Sequence, residues 1–442
     1  MTLTAIRGSF LDFLDDPFYV PDPQSVRYIP DGLLVLEGGR VKALGPYLSM
    51  QETYATVPVT TYSDRLILPG FIDIHTHYPQ MGIIAAYGEQ LLGWLNKYTF
   101  PAEGKFCDLD HAHRVAGAFL DELLRNGTTT ALVLATVHPQ SADAFFAEAE
   151  RRNMRMVAGK VMMDRMAPDF LLDTAESSYE ESRELIQKWH KKGRLLYAVT
   201  PRFAITSTEA QLKLAGQLLD EFPDVYLHTH LSENRDEVNL VAELFPDRLD
   251  YLDVYDKAGL LRERSIFAHC IHLDDSAFER LSQAGAAIAF CPTSNLFVGS
   301  GLFNLPKAKS VECAVKVGLA TDVGAGTSFS MLQTACEAYK VAQLQQNSLS
   351  PFRALFLATL GGAKALCLDD RIGNFEVGKE ADFVVLDLKA TPLMAFRNPD
   401  SLPTTLEDLA DQVFSLVVLG DDRAVQATYV AGELAYERDR VA

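Results

Sequence analysis

The stretch Leu68-Pro-Gly-Phe-Ile-Asp-Ile-His-Thr-His-Tyr-Pro-Gln80 constrains this chain more than any other. An apolar run with period-2 alternation forms a buried β-strand, and the Pro-Gly pair before Phe71 starts it sharply. Residues two apart on a strand share a face, so the imidazoles of His75 and His77 project together from its carboxyl end. Two converging imidazoles are half of a zinc or iron site. A lone His-x-His is a weak signal. Preceded by Pro-Gly-Phe-Ile-Asp it is specific, with Asp73 expected one register inward, holding a ligand histidine from below.

The same kind of apolar run recurs along the chain. Strands are expected at 68–77, 128–137, 154–163, 195–203, 225–231, 265–273, 286–292 and 315–323, with helical patterns between them such as 108–125, 176–191 and 208–221. Eight β–α repeats over about 250 residues are the pattern of a (β/α)8 barrel, an α/β fold. A last helix is expected at 351–365. Residues 1–66 contain strands and a hairpin turning at Glu37-Gly-Gly39, too few to stand alone. Residues 374–442 supply a further strand at 378–388 and a second hairpin with an Ala-Gly-Glu turn. The expected organisation is therefore a catalytic barrel over 67–373 and a composite β-sandwich domain built from 1–66 and 374–442.

Barrel enzymes assemble their sites from the carboxyl ends of different strands. Those ends here contribute His75 and His77, then His228 and His230 with Glu233 just beyond, then His269, and finally Asp322. The other histidines sort away from the rim. His111 and His113 also spell His-x-His, but on a helix residues two apart diverge by about 200°. His228, one layer below His230, is expected to hydrogen-bond rather than ligate. His138 is assigned to capping the next helix, His190 to a helix end where its charge suits the dipole, and His272 to the loop after the sixth strand. Trp94, in an apolar helical stretch, belongs to the core or a pocket wall.

Charge and cysteine usage narrow the function further. A formal net charge of −19 argues against nucleic acid or an anionic membrane as a partner. The six cysteines form no Cys-x-x-Cys, so neither a disulfide framework nor a cysteine zinc ribbon is indicated. No signal core opens the chain and no run of 18 apolar residues exists, so a cytoplasmic protein is expected.

The Pro-Gly-Phe-Ile-Asp…His-Thr-His opening, His228-Thr-His-Leu-Ser-Glu233, Ala268-His-Cys270 and Thr321-Asp322 resemble the amidohydrolase superfamily, in its mononuclear aminohydrolase branch. Tyr87-Gly-Glu-Gln-Leu-Leu-Gly-Trp, Asn126-Gly-Thr-Thr-Thr-Ala, Val199-Thr-Pro-Arg-Phe203, Cys291-Pro-Thr-Ser-Asn295 and Gly324-Ala-Gly-Thr327 extend the resemblance to that branch's guanine-deaminating family. The resemblance spans nearly the whole chain and implies zinc-dependent hydrolysis of guanine to xanthine and ammonia by a homodimer. It makes His75, His77, His230 and Asp322 the metal ligands, with one zinc per subunit and iron as an alternative that suits the same donors. Glu233 becomes the proton shuttle, Asp322 the base and His269 the partner of the reacting water. The purine would be bound by Gln80, Arg202 and Phe203, alongside His77, His230, Glu233 and Asp322. Binuclear relatives carry a bridging lysine at the fourth strand, and Thr-Pro-Arg-Phe has none there. Ser232 stands where the family often has cysteine. Two rivals remain: another mononuclear aminohydrolase acting on a pterin or triazine, and a non-enzymatic scaffold, which the intact ligand positions disfavour.

Overall fold

A computed structural model describes residues 3–398 and 403–439. Eight parallel strands follow one another around a barrel: β1 (Phe71–His77), β2 (Thr128–Leu134), β3 (Arg155–Gly159), β4 (Leu196–Pro201), β5 (Tyr226–Leu231), β6 (Ser265–His269), β7 (Ala287–Phe290) and β8 (Lys316–Leu319). Seven of the eight are buried at every residue, as expected of parallel strands covered on both faces. The chain beyond β8 closes the ring. Asp322 donates its backbone N–H to the carbonyl of His75 at 2.9 Å, and His77 donates to the carbonyl of Val323 at 2.9 Å. This pairing, rather than any local propensity, brings Asp322 beside both histidines of β1.

The intervening helices carry local start signals. Thr174 and Ser177 form a reciprocal capping box before Ala175–Trp189, and Thr208 caps Glu209–Glu221. The chain groups into two compact units, one comprising Asp73–Asp121 and Thr130–Phe329, the other the remaining segments.

In that second unit the two ends of the chain meet in a single seven-stranded sheet. Its order is Glu433–Glu437, Val425–Val430, Phe383–Leu386, Val59–Pro69, Leu3–Phe13, Val26–Glu37 and Arg40–Pro46. The hairpin before Arg40 turns through Gly38 and Gly39, both with positive φ (59° and 78°), the conformation a two-residue type I′ turn demands. One face packs Ile6, Phe10, Leu34, Ile67 and Val385 with a stacked Phe383–Tyr429 pair whose rings lie 4.3 Å apart. The helix expected at 351–365 is two helices, Pro351–Leu357 and Leu360–Ala365. Thr359 leaves helical geometry (φ −132°, ψ −101°), which lets Gly362 close against Ile72, where a Cβ would meet the isoleucine at 3.0 Å. Among the described residues no helix is long and apolar enough to cross a membrane.

Candidate active site

At the carboxyl ends of β1, β5, β6 and β8 four imidazoles and two carboxylates are packed together out of solvent. His75 Nε2 and His77 Nε2 lie 3.2 Å apart, and Asp322 Oδ1 sits 3.2 Å from the first and 3.1 Å from the second. One donor atom from each of His75, His230, His269 and Asp322 lies within 4.8 Å of the others, all four residues buried. Metal–nitrogen bonds of about 2.0–2.1 Å at tetrahedral angles would set donor atoms about 3.3 Å apart, so the His75–His77–Asp322 spacing fits a divalent ion.

The tautomers fit as well. His230 Nδ1 lies 2.8 Å from the carbonyl of Arg202 and must donate to it, which leaves Nε2 bare when the ring is neutral. His75 Nδ1 is held at 2.6 Å by His228 Nε2. His228 thus orients a candidate ligand. Asp73 does not touch an imidazole: its carboxylate accepts from the backbone N–H of Thr321 (3.0 Å), from the Thr321 hydroxyl and from the backbone N–H of His75 (3.3 Å). One register below the rim, its nearest donors are the backbone groups of the closing strands, so it ties β1 to the end of β8 instead.

Burial sets the protonation states. It lowers His75 to about 3 and holds His77 and His230 below the usual imidazole range, so all three are neutral and able to ligate. Burial alone would raise Asp322, but its close interactions with His75 and His77 hold it well below the ordinary carboxylate range. At Glu233 burial outweighs the opposing pull of His269 and of the Ser300 hydrogen bond. Loss of water pushes this carboxyl up to about 7, a value suited to a group that both gives and takes a proton near neutrality.

His77 and His269 compete for the last ligand position. His269 Nε2 is 3.8 Å from Asp322 and 3.4 Å from Glu233, and among the described residues it has no hydrogen-bond partner, while its Nδ1 meets Asn295 Oδ1 at 2.8 Å. His77 is the nearer to the shared carboxylate. His269 and Asp322 both adopt positive φ (72° and 50°), a cost tolerated where the fold over-determines a functional group.

A pocket opens onto this cluster, lined by Gln80, Trp94, Arg202, Phe203, Glu233 and Asp322 among others. Arg202 Nη1 is bound to both oxygens of Glu103 at 2.9 Å, and Gln80 Nε2 donates to Glu103 at 3.1 Å. Glu103 therefore belongs to the site although no motif marks it. The signal was slight: one acid in the apolar Phe100-Pro-Ala-Glu turn. Ser300, between two glycines, donates to Glu233 Oε1 at 3.0 Å. Glu237 accepts the backbone N–H groups of Glu233 and Asn234 at 2.8 and 3.0 Å, and the Asn234-x-x-Glu237 capping box was legible in the sequence.

The remaining histidines lie elsewhere. His111 meets Arg114 on the exposed side of its helix, and His113 meets Glu148 at 3.4 Å. His138 occupies the cap position of Pro139–Arg151 but its side chain makes no cap bond. His190 accepts from the backbone of Tyr197, and burial lowers its pKa, so it is not the cation the helix dipole would favour. Lys160, buried in the third β–α unit, is paired with Asp173 at 2.7 Å and Glu181 at 3.1 Å. The His-x-His motif on the helix is a decoy with a testable consequence. His111→Ala is expected to leave both metal content and turnover unchanged, measured by elemental analysis and a steady-state assay.

Residues 66–435 match the model of the amidohydrolase family. A guanine deaminase of Escherichia coli (strain K12) is 54% identical over 442 residues, covering 99% of each chain. The solved structure of E. coli guanine deaminase superposes with a TM-score of 0.94 at 53% identity, covering 99% of this chain and 100% of that one. A guanine deaminase from C. acetobutylicum, solved with guanine bound in its active site, superposes with a TM-score of 0.87 at 27% identity, covering 98% and 100%.

Proposed function

The chain belongs to the amidohydrolase family, and from that premise we propose that it hydrolyses guanine to xanthine and ammonia with one bound zinc ion. The observation that carries this reading is a pocket whose lining joins two unlike halves. One half is the imidazole–carboxylate cluster with Glu233; the other is Gln80 and Arg202, both held from behind by Glu103 and suited to an amide-like base edge. Full-length similarity to guanine deaminases supports the same substrate.

His75, His77, His230 and Asp322 would hold the ion. When bound, it lowers the pKa of a water from 15.7 to about 7. Iron suits the same donors, and elemental analysis decides between them. Asp322, a carboxylate at neutral pH, would accept a proton from the attacking water, and His269 would orient that water. The amino-bearing carbon of guanine is a poor electrophile, and Glu233 activates it by protonating the neighbouring ring nitrogen. As the C–O bond forms, Glu233, having given its own proton to the ring, takes the proton of the added hydroxyl and passes it to the amino group; the C–N bond breaks, ammonia leaves, and the proton held by Asp322 returns to Glu233. The pKa of Glu233, near 7, supports both transfers.

Arg202, Gln80 and Phe203 would set the pose, with Arg202 donating to the carbonyl at C6 so that the C2 amino group reaches the reacting water. Adenine has an amino group at C6 and nothing at C2, so this pose confronts Arg202 with another donor. An unpaired buried polar group costs about 1–3 kcal/mol, more when charged. Guanine is therefore expected to be deaminated far faster than adenine. Arg202→Met should depress kcat/KM for guanine steeply while metal content holds. Purine absorbance together with ammonia release measures both, and equal turnover of adenine and guanine by the unaltered protein would overturn the assignment.

A further inference from the structure

Glu103 lies on the turn Phe100–Glu103, far in sequence from Arg202, yet its carboxylate is fully buried beside the pocket. All three of its hydrogen bonds go to residues assigned above to the purine. Both oxygens accept from Arg202 Nη1, and Oε1 also accepts from Gln80 Nε2. The far side of the Gln80 amide is held too, because Gln80 Oε1 accepts the backbone N–H of Gly324 at 3.3 Å.

A guanidinium and a primary amide are the two side chains here with most freedom to turn. An amide that flips exchanges donor for acceptor, which would invert what it offers to a base edge. With a carboxylate on one side and a backbone N–H on the other, only one orientation of Gln80 satisfies both neighbours. The carboxylate likewise fixes which face of the Arg202 fork is occupied, so the remaining donors point in a set direction. It also places a negative charge against the buried arginine, 2.9 Å away.

We infer that Glu103 is a positioning residue that sets substrate specificity by orienting Arg202 and Gln80 toward the carbonyl edge of the base. This rests on the guanine reading of the same pocket. Glu103 itself transfers no proton and touches no reacting atom.

The test compares guanine with 2-aminopurine, which keeps the amino group at C2 but lacks the C6 carbonyl. Glu103→Gln retains size and removes the charge that aligns the pair. Misplacing a positioning group by about 1 Å costs about 10²-fold, so kcat/KM for guanine is expected to fall about that far. Turnover of 2-aminopurine should fall much less, so the preference for guanine collapses while metal content holds. A parallel loss on both substrates would show a merely structural role and overturn the inference. Retention of the wild-type preference would overturn it equally.

If Glu103→Gln does not fold, the double variant Glu103→Gln/Arg202→Met removes both charges together. Its guanine preference is expected to match that of Arg202→Met alone, and a further loss on both substrates would again overturn the inference. Arg202→Met separates the two levels. If it leaves guanine kinetics intact, the guanine pose itself fails. If it impairs them while Glu103→Gln leaves them intact, only the role of Glu103 fails.

Discussion

Glu233→Gln is expected to fold, keep its metal and bind guanine, yet turn it over at least about 10²–10⁴-fold more slowly. The substitution preserves shape and the hydrogen bond from Ser300, since an amide oxygen can still accept from the hydroxyl at Oε1. What disappears is the titratable proton. Burial raises this carboxyl to about 7, so the wild-type group exchanges protons at little cost near neutrality. An amide does not. Because Glu233 both activates the ring and serves the departing amine, the loss should lie at the upper end of that range or beyond it. Single-turnover kinetics with elemental analysis of the same sample measure chemistry and metal together. Near-normal turnover would remove Glu233 from the reaction, and loss of the metal would make it a ligand.

His77→Ala and Asp322→Ala are expected to lower bound metal well below one per chain and to abolish turnover. Asp322 contacts His75 and His77 at 3.1–3.2 Å, so removing it takes away the anion around which the neutral imidazoles gather. Removing His77 deletes a donor whose Nε2 lies 3.2 Å from that of His75. His269→Ala separates the two candidates for that position. It is expected to retain most of the metal while turnover falls, because His269 Nε2 stands 3.8 Å from Asp322 and faces Glu233 as well. Full occupancy in His77→Ala with loss in His269→Ala would exchange their roles. Dialysis of the wild type against a chelator should likewise abolish turnover, and added zinc should restore it.

Much of this molecule follows from local pattern. Short apolar runs located all eight barrel strands, because a strand buried on both faces needs apolar side chains along its length. Each β1 histidine lies two residues from its neighbour, and backbone geometry alone then aims both the same way. Gly38-Gly39 announced its hairpin because few other pairs tolerate positive φ twice in succession. Element ends were less legible. The strands expected to run to 137 and 273 stop at Leu134 and His269, since pairing ends where the chain turns out to form the rim, and the one expected over 154–163 breaks after Gly159 and resumes as Val161–Met162 beside Thr200 and Pro201. Thr359 interrupts a pattern that reads as one helix, for the sake of close packing at Gly362.

The sequence by itself determined where the barrel strands lie and the rim on which His75, His77, His230, His269 and Asp322 gather. Each of these depends on spacing within one element, and spacing is written in the chain. Only the tertiary structure decided who touches whom across elements. It paired Glu103 with Arg202 and Gln80, His228 with His75, Ser300 with Glu233, and turned Asp73 toward Thr321 rather than toward an imidazole. A buried polar side chain takes whichever complementary group the fold carries within about 3 Å, since leaving it unpaired costs more than any local preference returns. That partner is chosen by the closure of the barrel, and no periodicity in the sequence records it.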